Sequence, residues 1–312
     1  MVNIMPSPSS PRASTAIALQ GGGAHGAFTW GALDRLLEAG ITFDAITGVS
    51  SGAMIAAMAV QGMVNGGPQG AREAVSALWA KVMEGNLFGN IPATPLDWMW
   101  GTTKALSQDF AWTGLTQALR MFDPGQLNPL GQNPLELLLR EVLDVKSLRK
   151  PGAARLYVGA TDVENGEAVV FTNEQIGVSE LLASACIPMM FPAVQIKGRS
   201  YWDGGYSCNP PLAPVLSPLP ERLILIRAQP RQRRGVPSST ADIVHRLHEI
   251  AFQAPLSAEL SMLPRQIKLL DICADEALGR HPLSSKLNTD RAFIEQLFAA
   301  GRKAAATALQ TT

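Results

Sequence analysis

Two short apolar runs, each cut off by a glycine-containing turn and each followed by a helical pattern, constrain this chain more than any other feature. Ala16 to Gln20 ends in Gly21-Gly22-Gly23-Ala24-His25-Gly26, after which Phe28, Leu33, Leu36 and Leu37 recur at helical spacing and stop near Gly40. Asp44 to Val49 is a second apolar run, broken by Ser50-Ser51-Gly52 and followed by the Ala- and Met-rich segment Ala53 to Val60. The pattern is βαβα. Parallel strands need crossover connections, and the crossover helices cover the faces of the sheet. The expected fold is α/β, a three-layer sandwich with a mainly parallel central sheet between helices.

The rest of the chain divides around that unit. Met1 to Thr15 is Pro- and Ser-rich, lacks the layout of a secretion signal, and reads as a disordered leader over residues 1–15. Residues 16–312 read as one domain. From about Gln61 to Lys150 Gly and Pro are frequent and periodicity is weak, which predicts a cap inserted into the sheet over about residues 61–150. Within it Trp98, Met99 and Trp100, with Leu96, Phe110 and Trp112 near by, suit either packing of the cap or contact with a water–lipid boundary. Strand-like runs resume at Leu156 to Ala160, Ala168 to Phe171, Val194 to Ile196 and Leu223 to Arg227. After the loop at Pro230 to Ser239 the chain reads as helical to its end, with Phe293, Leu297 and Ala304 on the face of a last helix that packs on the body.

Composition removes several classes of function. With 46% hydrophobic and 17% charged residues the chain is globular rather than disordered. Its 26 basic and 26 acidic side chains cancel, so it lacks the positive field of a nucleic-acid binder. The three cysteines, Cys186, Cys208 and Cys273, are widely spaced without metal-ligand spacing, which fits a reducing compartment and a buried, unreactive Cys186. No apolar stretch approaches the ~20 residues that span a bilayer. The expectation is a cytoplasmic protein whose contact with a membrane or lipid inclusion is peripheral; its oligomeric state is left open. Arg231, Arg233 and Arg234 read as a charged surface loop.

Gly48-Val49-Ser50-Ser51-Gly52 matches G-x-S-x-G between an apolar strand and an apolar helix, the context in which the motif exposes a nucleophilic serine at a sharp turn. Gly48 and Gly52 permit that turn, and the helix N-terminus behind it favours negative charge at Ser50. Acyl transfer also needs amide donors fixed around an oxyanion. In a parallel βαβ unit the loop after the first strand lies beside the turn after its neighbour, so the amides of Gly21, Gly22, Gly23 and Ser51 are the candidate donors. The same loop spells G-x-G-x-x-G through Gly21, Gly23 and Gly26, a competing nucleotide-binding reading. Asp44 is the acid it would need, but Asp44 precedes its apolar run whereas a ribose-binding acid follows one.

A serine nucleophile needs a base. Of the four histidines, His245, His248 and His281 follow Ser50 in the order of a Ser-acid-His triad. His245 and His248, beside Arg246 and Glu249, resemble a solvated helix face. The better candidate is Asp203 in Tyr201-Trp202-Asp203-Gly204-Gly205, flanked by an aromatic ring and so placed for partial desolvation, which raises a carboxylate's proton affinity.

The Gly loop, the G-x-S-x-G turn, the run Ala183, Ser184, Pro188, Phe191, Pro192 and the Asp-Gly-Gly of Asp203, Gly204 and Gly205, in that order, resemble the patatin-like phospholipases. The resemblance spans about Ala16 to Pro211. It implies a patatin-like α/β core, lipid acyl hydrolysis by a Ser50–Asp203 pair without a histidine base, Gly21 through Gly23 as oxyanion loop, and no metal or organic cofactor. One position departs: the residue before Gly26, often Lys or Arg in the family, is His25, a candidate contact for an anionic head group with pH-dependent charge. The expected function is a serine lipid acyl hydrolase of phospholipase A type, working through a covalent acyl-enzyme on a lipid ester. An esterase or depolymerase acting on neutral glycerides or intracellular polyester is the alternative, and a non-catalytic nucleotide- or lipid-binding protein is the alternative from a different class.

Overall fold

The central strand, β1 (Thr15–Leu19), alternates its side chains between two buried layers: Ile17 and Leu19 enter one core, Ala16 and Ala18 the other. That is the signature of a strand covered on both faces. The computed structural model describes residues 14–84, 133–188, 190–232, 235–238, 240–279, 281 and 283–311. The expectations placed on residues 1–13, on Leu96, Trp98, Met99, Trp100, Phe110 and Trp112, and on Arg233 and Arg234 lie outside the described residues.

From β1 the chain passes into α1 (Gly26–Glu38), β2 (Ala45–Gly48) and α2 (Ser51–Glu84), the expected βαβα unit. Then come α3 (Pro134–Val142), α4 (Val145–Leu148), β3 (Arg155–Asp162), β4 (Ala168–Thr172) and α5 (Val178–Ser184). The hairpin β5 (Val194–Ile196) and β6 (Arg199–Asp203) precedes β7 (Arg222–Arg227), α6 (Thr240–Ser261), β8 (Lys268–Cys273), α7 (Asp275–Leu278) and α8 (Arg291–Gln310). The sheet order is β5-β6-β3-β2-β1-β7-β8, with β4 also on β3. Strands β3, β2, β1, β7 and β8 run parallel, and β4, β5 and β6 supply the antiparallel pairings. The sheet is mixed and mostly parallel, with helices on both sides, as expected.

The larger core lies between the sheet and α1, α2 and α8; the smaller lies under α6, through Leu256, and the turn Ala213–Leu216, through Val215. Ile17 is fully buried, so its truncation to Ala costs about 2–5 kcal/mol. Asp34 of α1, also buried, joins Arg72 of α2 at 2.7 Å and bonds Arg302 of α8, fastening three helices. Trp30 stacks on Trp79 at 5.9 Å and packs on Phe298, reinforcing the same seam.

Three expectations need correction. Thr15 does not belong to a leader: it is buried in β1, and its amide bonds Asp44 Oδ2 at 2.9 Å. Residues 61–84 and 133–150 are not cap. They form α2, α3 and α4, whose Ala71, Val75, Leu78, Trp79, Leu139 and Leu148 enter the main core; of the expected insertion, residues 85–132 lie outside the described residues. A backbone break at Gly66 and Gly67, before Pro68, interrupts α2 and hides its periodicity. The chain after residue 239 is not helical throughout, because β8 adds an edge strand whose side chains are largely half-buried or exposed. On α8 the expected packing face is present: Leu297 is buried and Phe293 and Ala304 pack against the same core, with Ile294, Gly301 and Ala305 completing the buried side. No helix among the described residues is long and apolar enough to cross a membrane.

Candidate active site

Ser50 sits where β2 has ended and α2 begins, in the left-handed backbone region with φ of 55°. That conformation costs a residue with a Cβ about 1–2 kcal/mol and is held here by its surroundings. The turn is forced tight because α2 starts against the end of β1: a Cβ on Gly52 would press into the carbonyls of Leu19 and Gln20. Gly48 faces Gly52 across the turn with equally little room. The Ser50 amide donates to Ser184 Oγ at 2.9 Å, and that hydroxyl donates to the Gly159 carbonyl at 2.6 Å. Helix α5 thus pins the turn to β3.

Asp203 reaches Ser50 through the sheet. Tyr157 and Val158 of β3 pair with both β2 and β4, while Ala160 and Thr161 pair with both β4 and β6. Strands β2 and β6 therefore lie on the same side of β3, one beyond the other, and the end of β6 meets the turn that follows β2. The Asp203 backbone is fixed by its N–H to the Cys186 carbonyl at 2.8 Å and by Thr161 Oγ1, which donates to its carbonyl at 2.8 Å. Its carboxylate is buried, accepts the Gly205 amide at 2.8 Å and has the Ser50 hydroxyl as side-chain partner. Burial pushes its pKa up to about 6, against the lowering effects of the Gly205 amide, the Ser50 hydroxyl and, through space, Lys286. Gly204 and Gly205 allow this approach: a Cβ on the first would strike the Gly159 carbonyl, and on the second the Phe252 ring.

The Gly loop lies beside the turn, but its amides are not equivalent. Gly21 donates to the buried Asn209 Oδ1 at 2.9 Å, and Gly22 donates to Ser51 Oγ at 3.2 Å. Both are committed to holding the loop, as is the Gly21 carbonyl, which accepts from Gln229 Nε2 at 3.0 Å. This corrects the expectation that all three glycines are open donors. Among the described residues the amides of Gly23 and Ser51 donate to no protein acceptor, and Gly23, with φ of 58°, holds a conformation that favours glycine.

His25 does not present itself to a ligand. Its ring is buried, bonded through Nε2 to Ser285 Oγ at 2.7 Å and edge-on to Phe293. It fastens the Gly loop to the C-terminal part of the chain. His248 does not lie on a solvated face either: it stacks on Phe252 at 4.5 Å and meets the Tyr206 hydroxyl at 3.4 Å. The His281 ring meets Phe293, and the side chain of His245 lies outside the described residues. The nucleotide reading fails on Asp44, which sits at the start of β2, at the opposite end of the sheet from the Gly loop.

Cys186 is buried, with its thiol pushed up to about 11 by desolvation, the unreactive state expected of it. The sequence reading missed the tasks of Ser184, Asn209 and Thr161, and it missed Lys286 altogether. Ser184 stands in the Ala-Ser run and Asn209 precedes two prolines shortly after Asp-Gly-Gly, so both carried a local signal; Lys286, half-buried in the turn Leu283–Leu287, carried none. Its ammonium lies 5.5 Å from the centroid of Phe252, and burial lowers its pKa to about 8 against the attraction of Glu249 and Asp203.

The family model for patatin-like phospholipases matches residues 17–216. Curated proteins give no match. Among solved structures, VipD from Legionella pneumophila is similar at 17% identity and a TM-score of 0.38, over 94% of this chain and 68% of that one. ExoU of the Pseudomonas aeruginosa type III secretion system, in heterodimeric complex with SpcU, is similar at 16% identity and a TM-score of 0.38, over 97% of this chain. A second structure of that complex, with both proteins full-length, gives 15% identity and a TM-score of 0.35 over 95% of this chain. In both ExoU structures the chain spans about half, 53%, of the neighbour's length.

Proposed function

From the chain's membership of the patatin-like phospholipase family, a family of lipid acyl hydrolases, we propose that it cleaves carboxylic esters of phospholipids or related lipids, with Ser50 as nucleophile and Asp203 as base. The observation that carries this reading is the pairing of the Ser50 hydroxyl with a buried carboxylate at a strained strand-to-helix turn. A serine hydroxyl at its own pKa is a weak nucleophile and requires an adjacent base. A carboxylate raised toward neutral pH is a better proton acceptor than an ordinary one and is still ionised at pH 7.

In the reaction the Ser50 proton passes to Asp203 as Oγ bonds to the ester carbonyl carbon. The carbonyl oxygen becomes an oxyanion held by the amides of Gly23 and Ser51 and favoured by the N-terminus of α2. When the C–O bond breaks, the proton on Asp203 goes to the departing alkoxide, leaving an acyl-serine. Asp203 then takes a proton from water as the water oxygen bonds to the acyl carbon; the bond from that carbon to Ser50 Oγ breaks, the proton on Asp203 passes to Oγ, and the carboxylic acid leaves. The substrate arrives from a lipid surface that the protein touches peripherally.

The test is a fluorophosphonate probe together with a panel of acyl esters that includes a diacyl phospholipid, a triglyceride and p-nitrophenyl butyrate. Ser50 should be the labelled residue, and Ser50→Ala should abolish labelling and hydrolysis alike. Labelling of Ser51 in its place, or hydrolysis that survives in Ser50→Ala, would overturn the assignment.

A further inference from the structure

The family match ends at residue 216, yet the site has a wall built beyond it. The turn Leu283–Leu287 lies against the Gly loop: Ser285 is bonded to His25, and a Cβ on Gly23 would strike the carbonyl of Lys286. From there the Lys286 side chain reaches the Phe252 ring. The same ring packs on Gly205, whose amide bonds the Asp203 carboxylate. Lys286 therefore lies over the ring that packs on Gly205, the residue whose amide holds the buried Asp203 carboxylate.

Other titratable groups among the described residues surround this pair. Facing Asp203 are Cys186, Tyr206 and Cys208, which desolvation raises to about 11, 12 and 12 and so keeps neutral over the working range. Lys286 is faced from α6 by Glu249, which already bridges Arg246 at 3.1 Å. His248 contacts Tyr206 and Phe252, while His25 and His281 both meet Phe293. Among the described residues, Lys286 is the cation that acts on Asp203 through space, lowering its proton affinity.

We propose that Lys286 is a positioning residue of the hydrolytic site, contributed by the C-terminal part of the chain, whose ammonium keeps the Asp203 carboxylate in its proton-accepting form. The proposal rests on the Ser50–Asp203 reading. A cation beside a desolvated carboxylate favours the ionised state, and a base works only while ionised. Without the ammonium, Asp203 takes up its proton at a higher pH, so the acid limb of the rate profile moves upward.

The experiment is kcat/KM for p-nitrophenyl butyrate as a function of pH in wild type, Lys286→Met, Lys286→Gln and Lys286→Arg, with circular dichroism on each. In the Met and Gln variants the acid limb should rise by about half a unit or more, with a deficit that is largest at low pH and shrinks as pH rises. Lys286→Arg, which keeps the charge, should return the limb toward its wild-type position. A folded Met or Gln variant that loses activity equally at every pH, with the limb unmoved, would show that Lys286 only packs and would overturn the proposal. Should Asp203→Asn retain full esterase activity, the base assignment falls and this inference with it; should Asp203→Asn be inactive while the limb stays fixed in the Lys286 variants, this inference alone fails.

Discussion

The Ser184 hydroxyl accepts the amide hydrogen of Ser50 at 2.9 Å and donates its own hydrogen to the Gly159 carbonyl, so one side chain holds the Ser50 backbone in register with the sheet. Ser184→Ala leaves a buried donor and a buried acceptor without a partner. Stability should fall by about 1–3 kcal/mol. Activity should fall by about tenfold or more through kcat, because the misplaced group is the attacking one. Thermal unfolding and steady-state kinetics on the same preparation check both; a variant with normal kcat would show that the turn holds itself.

As the proposed base, Asp203 should set the lower pH limit. With its pKa raised to about 6 by burial, kcat/KM should fall as pH drops through about 6. The same shift bears on stability: the folded state holds more protons than the unfolded chain between the ordinary value of 3.8 and about 6, so stability falls as pH rises through that window. At pH 7.5 Asp203→Asn should therefore be inactive yet more stable, by about 1–3 kcal/mol, since an amide oxygen still accepts from Gly205. Denaturant unfolding of the two proteins at pH 7.5 and pH 4 checks the sign, and the gap should narrow at the lower pH.

Gly23→Ala should lower kcat by about a hundredfold, as loss of one oxyanion donor does. The new methyl would strike the Lys286 carbonyl, and φ at this position disfavours any Cβ. Gly40→Ala, also at positive φ but with open space around it, should lose stability alone. Comparing kcat and melting temperature for the two separates damage to the site from backbone strain.

The imidazoles divide by contact. His281→Ala and His248→Ala should stay within about tenfold of wild type, because neither replaces the carboxylate as partner of Ser50. His25→Phe keeps the ring contact with Phe293 but removes the bond to Ser285. It should loosen the turn Leu283–Leu287, seen as faster hydrogen exchange there, with a smaller loss of melting temperature than Ser184→Ala.

The parts of this arrangement that were legible in the sequence are those where local chemistry repeats itself. Gly48 to Gly52 is bounded by a strand and a helix that both show their character within a few residues, and Asp203 stands between an aromatic and two glycines. Strand β8 escaped because it is an edge strand with little of the burial that makes a strand apolar. Helix α2 escaped beyond residue 60 because Gly66, Gly67 and Pro68 break its period, although Ala71, Val75 and Leu78 resume it. Lys286, and the partner of Asn209 despite the local signal of its two prolines, escaped for a different reason. Each involves one polar residue whose partner is distant in the chain, and single contacts of that kind leave no periodicity to read.

The bond between His25 and Ser285 joins parts of the chain that are synthesised at different times. A ribosome makes the Ser50 turn before the residues around Lys286, so a growing chain holds that turn before the wall beside it has been synthesised. The Gly loop and the wall that carries Lys286 are thus neighbours in space but far apart in order of synthesis.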